Sequence, residues 1–315
     1  MRQDLVAIIS AIRAQPWAIL PEYLEAIEAI AARSLDEDIL KLVAGDGHEA
    51  QIDASRLAVA AVGTRLEGSA MSTVRDGTSV IPLLGAIFPR ASMIGASTGG
   101  TSLDAFMRDF RVAEASADVQ RHVMLVDSPG GVVSGVGEAA EALRNSTKPI
   151  TAFVTGTGAS LAYWLASQAQ EIVLDRAAAV GSIGVVATVS QQVAPGQDGR
   201  QTFEIVSSGA PMKRPDVSTD EGRAAMQADI DAVETVFIED VAAGRRVSVD
   251  RVRSDFGQGS MVSAARAVAA GMADRIGTLE SLLTNGSGRT RISNGGGRAR
   301  ASAELDMRRR AAERS

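Results

Sequence analysis

The 315-residue chain is 45% hydrophobic but only 3% aromatic, so a substantial core is available and must be built mainly from Ala, Val, Ile and Leu. A formal net charge of −6 gives no reason to expect general nucleic-acid affinity. There is no cysteine, which excludes thiolate chemistry and disulfides, and the two histidines, His48 and His122, leave a metal site only carboxylates with no recognisable ligand spacing. The lack of cysteine fits a reducing compartment, and no cofactor fingerprint is present.

Residues 1–45 read as a helical segment of two helices. Leu5, Ile8, Ile9 and Ile12 share one helical face; Leu24, Ile27, Ile30 and Ala31 share another after Pro21. The apolar run 5–12 is too short to span a bilayer, which needs ~20 residues. Asp4 precedes it, Arg13 follows it, and no small-residue cleavage pattern comes close behind, so it does not read as a signal peptide. Residues 46–78, broken by Gly47 and Gly77, read as a connecting segment.

From 79 to 285 strand and helix patterns alternate, implying βαβ units in one domain. Val80–Phe88 is a strand candidate interrupted by Pro82 and Gly85. Leu103, Phe106, Met107 and Phe110 mark an amphipathic helix capped by Thr101 or Ser102. Val123–Val126 is a continuous apolar run suited to a buried parallel strand. A helix is expected near Ser134, a strand at Ile150–Val154, a helix over 158–170, and strands at Ile172–Leu174, Gly184–Val189 and Thr202–Val206. A long helix fits 218–243, with Val233, Val236, Phe237 and Val241 inward. The tail 286–315 carries eight arginines against three acidic residues, a net +5 that leaves −11 for the rest. Its composition reads as disordered; contact with an acidic partner or packaged nucleic acid is the alternative.

Ser160 lies in Gly-Thr-Gly-Ala-Ser-Leu-Ala-Tyr-Trp, and Lys213, in Ser-Gly-Ala-Pro-Met-Lys-Arg-Pro, follows it by 53 positions. With no cysteine and no plausible histidine partner, a lysine base for a serine hydroxyl is one of the few hydrolytic arrangements left. A lysine can take that proton only when neutral. Roughly 0.04% of an exposed lysine is neutral at pH 7, so burial is required. Pro211, Met212 and Pro215 favour a rigid, poorly solvated segment, whereas Arg214 either depresses the lysine further or points to solvent. Ser160 before an apolar stretch also reads as a helix cap, a location compatible with nucleophilic attack at a strand-to-helix turn.

Asp-Ser-Pro-Gly-Gly at 127–131, Ala-Ser-Leu-Ala-Tyr-Trp-Leu-Ala-Ser at 159–167, Gly-Ser-Ile-Gly-Val at 181–185 and Ser-Gly-Ala-Pro-Met-Lys at 208–213 occur in order. Together with Ala-Ala-Gly-Met-Ala-Asp-Arg-Ile-Gly at 269–277, they resemble the signal peptide peptidase A family of serine–lysine peptidases (S49). Gln-Pro-Trp-Ala-Ile-Leu-Pro-Glu-Tyr-Leu-Glu-Ala-Ile at 15–27 is similar to the leader of that family's phage head-maturation branch. The resemblance implies an α/β fold, a crotonase- or Clp-like spiral of βαβ units, here with an N-terminal helical extension. It implies Ser160 as nucleophile, Lys213 as general base, and the Gly131 and Leu161 N–H groups as oxyanion donors. Ser182 is either a lysine-orienting hydroxyl or an ordinary turn serine. Tyr163 and Trp164 read as core. The resemblance further implies a phage prohead protease in the host cytoplasm, cutting scaffold or capsid-assembly proteins as a homo-oligomeric ring without a membrane anchor. Nucleic acid would be met only through the Arg-rich tail. Small residues over 156–162 favour small or apolar P1 side chains. The rival readings are a crotonase-type acyl-CoA enzyme and a non-catalytic capsid-assembly subunit.

Overall fold

A computed structural model describes residues 16–20, 23, 62–90, 100–189 and 205–284. In chain order its strands are β1 Trp17–Ile19, β2 Thr64–Arg65, β3 Thr73–Arg75, β4 Thr78–Leu84, β5 Ile87–Phe88, β6 Thr101–Ser102, β7 Arg121–Ser128, β8 Gly130–Val132, β9 Ile150–Ala159, β10 Glu171–Leu174, β11 Ala179–Gly181, β12 Met261–Ser263 and β13 Arg275–Ile276. The helices are α1 Leu103–Ala115, α2 Val136–Arg144, α3 Leu161–Ala166, α4 Asp220–Arg245, α5 Val249–Asp255, α6 Ala264–Ala270 and α7 Leu279–Thr284.

The apolar run at 123–126 lies at the middle of the larger sheet. β7 is parallel to β4 on one side and to β9 on the other, as burial on both faces requires. β9 then splits. Its first half pairs β10 and its last three residues pair β11, both parallel, and a register shift between Val126 and Ser128 bends it away from β7. The Asp127 carboxylate accepts from the Thr157 amide at 2.9 Å and pins that bend. Antiparallel β2 and β3 close one edge and antiparallel β12 the other. Pro82 sits in β4 beyond the last residue paired with β3, so its missing N–H interrupts no bond to that neighbour.

A smaller sheet runs β1-β8-β5-β6. Each turn of the chain thus lays a strand in the large sheet, a short strand or strands in the small one, and a helix: β4, β5, β6, α1; then β7, β8, α2. This is an α/β spiral. Ser102 caps α1, accepting from the Ala105 amide at 3.4 Å, while Thr101 Oγ1 donates to the Leu84 carbonyl at 2.6 Å. The helices bury the faces that their spacing selects: Leu103, Phe106, Met107 and Phe110 on α1, and Val136, Ala139, Ala140 and Leu143 on α2.

Four expectations are corrected. Trp17–Ile19, within the stretch read as helical, form a strand; apart from 16–20 and Tyr23, residues 1–45 lie outside the described residues. The large sheet begins at Thr64 rather than 79, because β2 and β3 supply its antiparallel edge. Gly184–Val189 forms no strand beyond a bridge at Val186, and neither do the described residues of 202–206. On α4 the buried residues are Gly222, Phe237, Ile238, Val241 and Ala242, while Val236 is exposed, because the packed face runs through Phe237, Ile238, Val241 and Ala242 and Val236 points away from it. The tail 286–315 lies outside the described residues.

Candidate active site

Ser160 occupies the single residue between β9 and α3. Its φ of 53° and ψ of −118° place a non-glycine residue in sparsely populated backbone space. The conformation is over-determined on both sides. The Ser160 amide donates to the Gly181 carbonyl at 2.7 Å, and its carbonyl accepts from Trp164 at 2.9 Å, opening the helix. Ser160 does not cap α3 with its side chain. Its hydroxyl instead reaches the Gly184 carbonyl at 3.5 Å. Turned out of the helix at the carboxyl edge of parallel strands, this hydroxyl has the placement of a nucleophile.

The wall behind it is rigid. Every residue of α3 is buried. Trp164 stacks on Phe237 with ring centroids 4.4 Å apart, and its Nε1–H donates to Asp240 at 2.8 Å. Arg144 also pairs with Asp240. The Tyr163 hydroxyl donates to the Met272 carbonyl at 2.9 Å, and burial pushes its ionisation well above the usual tyrosine range. Both aromatics are core, as expected.

Gly131 lies in β8, between β1 and β5. A Cβ at Gly131 would come within 1.9 Å of the Ile87 carbonyl oxygen, and one at Gly130 within 2.1 Å of the Ala18 oxygen, so both strands approach too closely for any side chain. The Leu161 amide is the first of α3, where amides lack intrahelical partners. Ser182, with φ 52°, is half-buried one residue past β11 and donates its amide to the Ser260 carbonyl at 3.1 Å. The motifs at 127–131, 159–167 and 181–185 are therefore joined by the strand ends β7, β9 and β11.

Lys213 departs from expectation. It ends a 3-10 turn, Pro211–Lys213, in which no residue is buried. Met212 beside it is 53% exposed, and Ile205, eight residues earlier, is 95% exposed. Among the described residues, the Ser160 hydroxyl bonds to Gly184 and not to Lys213. Among the described residues no apolar pocket surrounds the lysine, and the arm from 205 through the first half of α4 is mostly exposed.

The sequence reading also missed a contact. His122 is 1% exposed, with Nδ1 2.7 Å from Ser79 Oγ and Nε2 2.7 Å from Glu114 Oε2. Burial opposes ionisation of Glu114, but bonds from Thr147, His122 and Ser146 outweigh it and lower its pKa to about 2. The ionised carboxylate fixes the proton on Nε2, leaving Nδ1 to accept from Ser79. Burial lowers the His122 pKa against the pull of Glu114, so the ring is neutral near pH 7. Ser79 itself is fully buried within β4. No residue spacing flagged this trio.

Among the described residues no group of three or more His, Asp or Glu could hold a metal ion, and no helix is long and apolar enough to cross a membrane.

Comparison with known proteins agrees with the motifs. The model of peptidase family S49 matches residues 142–289. The chain is 25% identical over 285 residues to the head-tail preconnector protein GP5 of Enterobacteria phage P21, covering 88% of this chain and 56% of that protein. It is 24% identical over 280 residues to the capsid assembly protease C of Escherichia phage lambda, covering 87% and 63%. The chain thus spans about three-fifths of the length of these relatives. A solved membrane-bound stomatin-specific protease, 1510-N, is 13% identical with a TM-score of 0.43, over 67% of this chain and 84% of that one. Residues 142–289 carry the peptidase family S49 match, and the chain resembles that family and these two phage proteins.

Proposed function

We propose that the chain is a serine endopeptidase using Ser160 and Lys213, acting in phage head maturation on scaffold or capsid-assembly polypeptides. The observation that carries this reading is the Ser160 turn: a strained serine at the carboxyl edge of the sheet, opening a helix that packs against the Gly-Gly strand. Ser160 Oγ attacks the scissile carbonyl while the Lys213 amine takes its proton. The oxyanion is held by the Gly131 and Leu161 amides. The lysine returns the proton to the leaving amine, and water then hydrolyses the acyl-enzyme. Ser182 orients the lysine amine.

Lysine chemistry here requires desolvation that the described residues do not supply. The exposed arm around Lys213, with Met212 and Val236 53% and 48% exposed, supports assembly of the dyad against a second copy in a homo-oligomeric ring. The arm is anchored at its far end, where Phe237 and Asp240 lock α4 onto α3.

A fluorophosphonate probe tests the reading. Labelling should map to Ser160, disappear in Ser160→Ala, and weaken under conditions that dissociate the oligomer. Labelling of monomer and oligomer at equal rates would overturn the shared-site reading. A Ser160→Ala variant that still cuts casein would overturn the nucleophile.

A further inference from the structure

We propose that Pro16–Leu20 lies in the peptide groove of this enzyme as an internal pseudo-substrate, holding the described chain in a latent state. The inference rests on the Ser160 reading above and adds an occupant, a register and a preferred substrate pattern.

The walls of the groove are two backbone segments. One is β8, Gly130–Val132; the other is Gly184–Val186, whose Gly184 carbonyl accepts the Ser160 hydroxyl. β1 runs between them. Toward β8 it is antiparallel, with Trp17 opposite Val132, Ala18 opposite Gly131 and Ile19 opposite Gly130. The Val133 amide donates to Pro16 at 3.3 Å and the Leu20 amide to Pro129 at 3.0 Å. These bonds bracket Ala18 and Gly131, which are therefore the hydrogen-bonded pair between them. Toward the other wall, Trp17 and Val186 exchange both main-chain bonds, at 3.0 and 2.8 Å.

An extended segment bonded on both edges, antiparallel to a Gly-Gly strand, is how a sheet edge takes a peptide. The Gly131 N–H, needed for the oxyanion, is committed to the Ala18 carbonyl. That carbonyl stands where a scissile carbonyl would be received. With the segment in place, Ser160 is 1% exposed, too little to meet a substrate. The segment's side chains are also sorted. Ala18 joins the main core with Leu161 and Ile183, while Trp17 and Ile19 face Ala86, Phe88 and Val132 on the opposite side. The groove therefore takes a small residue at the carbonyl facing Gly131, between large apolar neighbours.

The test uses the full chain and two variants, Ala18→Arg and Ile19→Asp, which disrupt opposite faces of the strand. The probe is a fluorescein-labelled peptide with the sequence of residues 13–23, titrated by anisotropy into each protein in a Ser160→Ala background. Casein hydrolysis is measured with Ser160 intact. Release of the strand should tighten peptide binding and raise hydrolysis by about tenfold or more in at least one folded variant, since apparent affinity scales with the open fraction. Equal peptide binding to all three proteins, or lower hydrolysis in every folded variant, would make β1 a structural strand and overturn the proposal. Tight binding to the variants with no hydrolysis in any protein would instead count against the Ser160 reading and leave the groove standing.

Discussion

Two serines lie at opposite ends of the same parallel strands. Ser79, near the start of β4, has the hydrogen-bond wiring of a hydrolase triad: a histidine at 2.7 Å, and beyond it a carboxylate at 2.7 Å. Ser160, just past the end of β9, has a carbonyl at 3.5 Å and no base of its own chain among the described residues. Wiring alone would choose Ser79. The backbone chooses Ser160. Ser79 is locked in regular strand with its hydroxyl spent on His122, and no strained turn presents it. At the carboxyl edge Ser160 adjoins a helix N-terminus in a sparsely populated backbone conformation, φ 53°, which supports the proposed nucleophile role. The contrast is one of backbone position rather than hydrogen-bond order: Ser79 sits within a regular strand, whereas Ser160 sits at a strand-to-helix turn beside a helix N-terminus.

The most severe test of that contrast is the serine pair itself. Ser160→Ala should lower proteolysis roughly a thousandfold or more, with an unchanged melting temperature. Ser79→Ala should do the reverse, leaving turnover within about twofold and costing about 1–3 kcal/mol of stability by unpairing a buried ring nitrogen. If the Ser79 variant is the inactive one, the assignment of the two ends is inverted.

Next in size is Lys213. Lys213→Arg should be as inactive as Lys213→Ala, because arginine keeps the charge but cannot surrender a proton. Substantial activity in the arginine variant would make Lys213 a source of charge rather than a base.

The His122–Glu114 pair should govern acid stability. Both folded-state pKa values are lowered. The unfolded chain therefore binds more protons below the ordinary values, and stability present at neutral pH is lost as pH falls. The histidine part fades below the ordinary value of 6.5, and the Glu114 part fades between 4.5 and about 2. Glu114→Gln should cost about 2 kcal/mol at pH 7 and flatten the fall below pH 4.5, read from thermal melts. An unaltered acid limb would show that other carboxylates set it.

The smallest effect is expected at Ser182. Its removal to alanine should lower kcat about fivefold to tenfold without changing the melting temperature, through looser orientation of the lysine. A loss of stability instead, with kcat intact, would return it to the ordinary turn serines.

What was legible beforehand was local. The apolar run at 123–126, the periodicity of α1, and the breakpoint before Ser160 follow from side-chain spacing and glycine placement, which a chain carries wherever it is read. The order of the motifs was enough to name the family resemblance and the α/β class. What only the tertiary structure decided depends on distant partners. Helical periodicity over 1–45 hid β1, because the main-chain bonds that make Trp17–Ile19 a strand come from residues 129–133 and 186. The sheet's antiparallel edge at 64–75 was masked by glycines that read as linker. The Ser79–His122–Glu114 contact joins three elements whose spacing means nothing until β4 and β7 align. Lys213 was expected to be buried from its proline-rich neighbours. Desolvation, though, is a property of what surrounds a side chain, and the described residues leave that arm exposed.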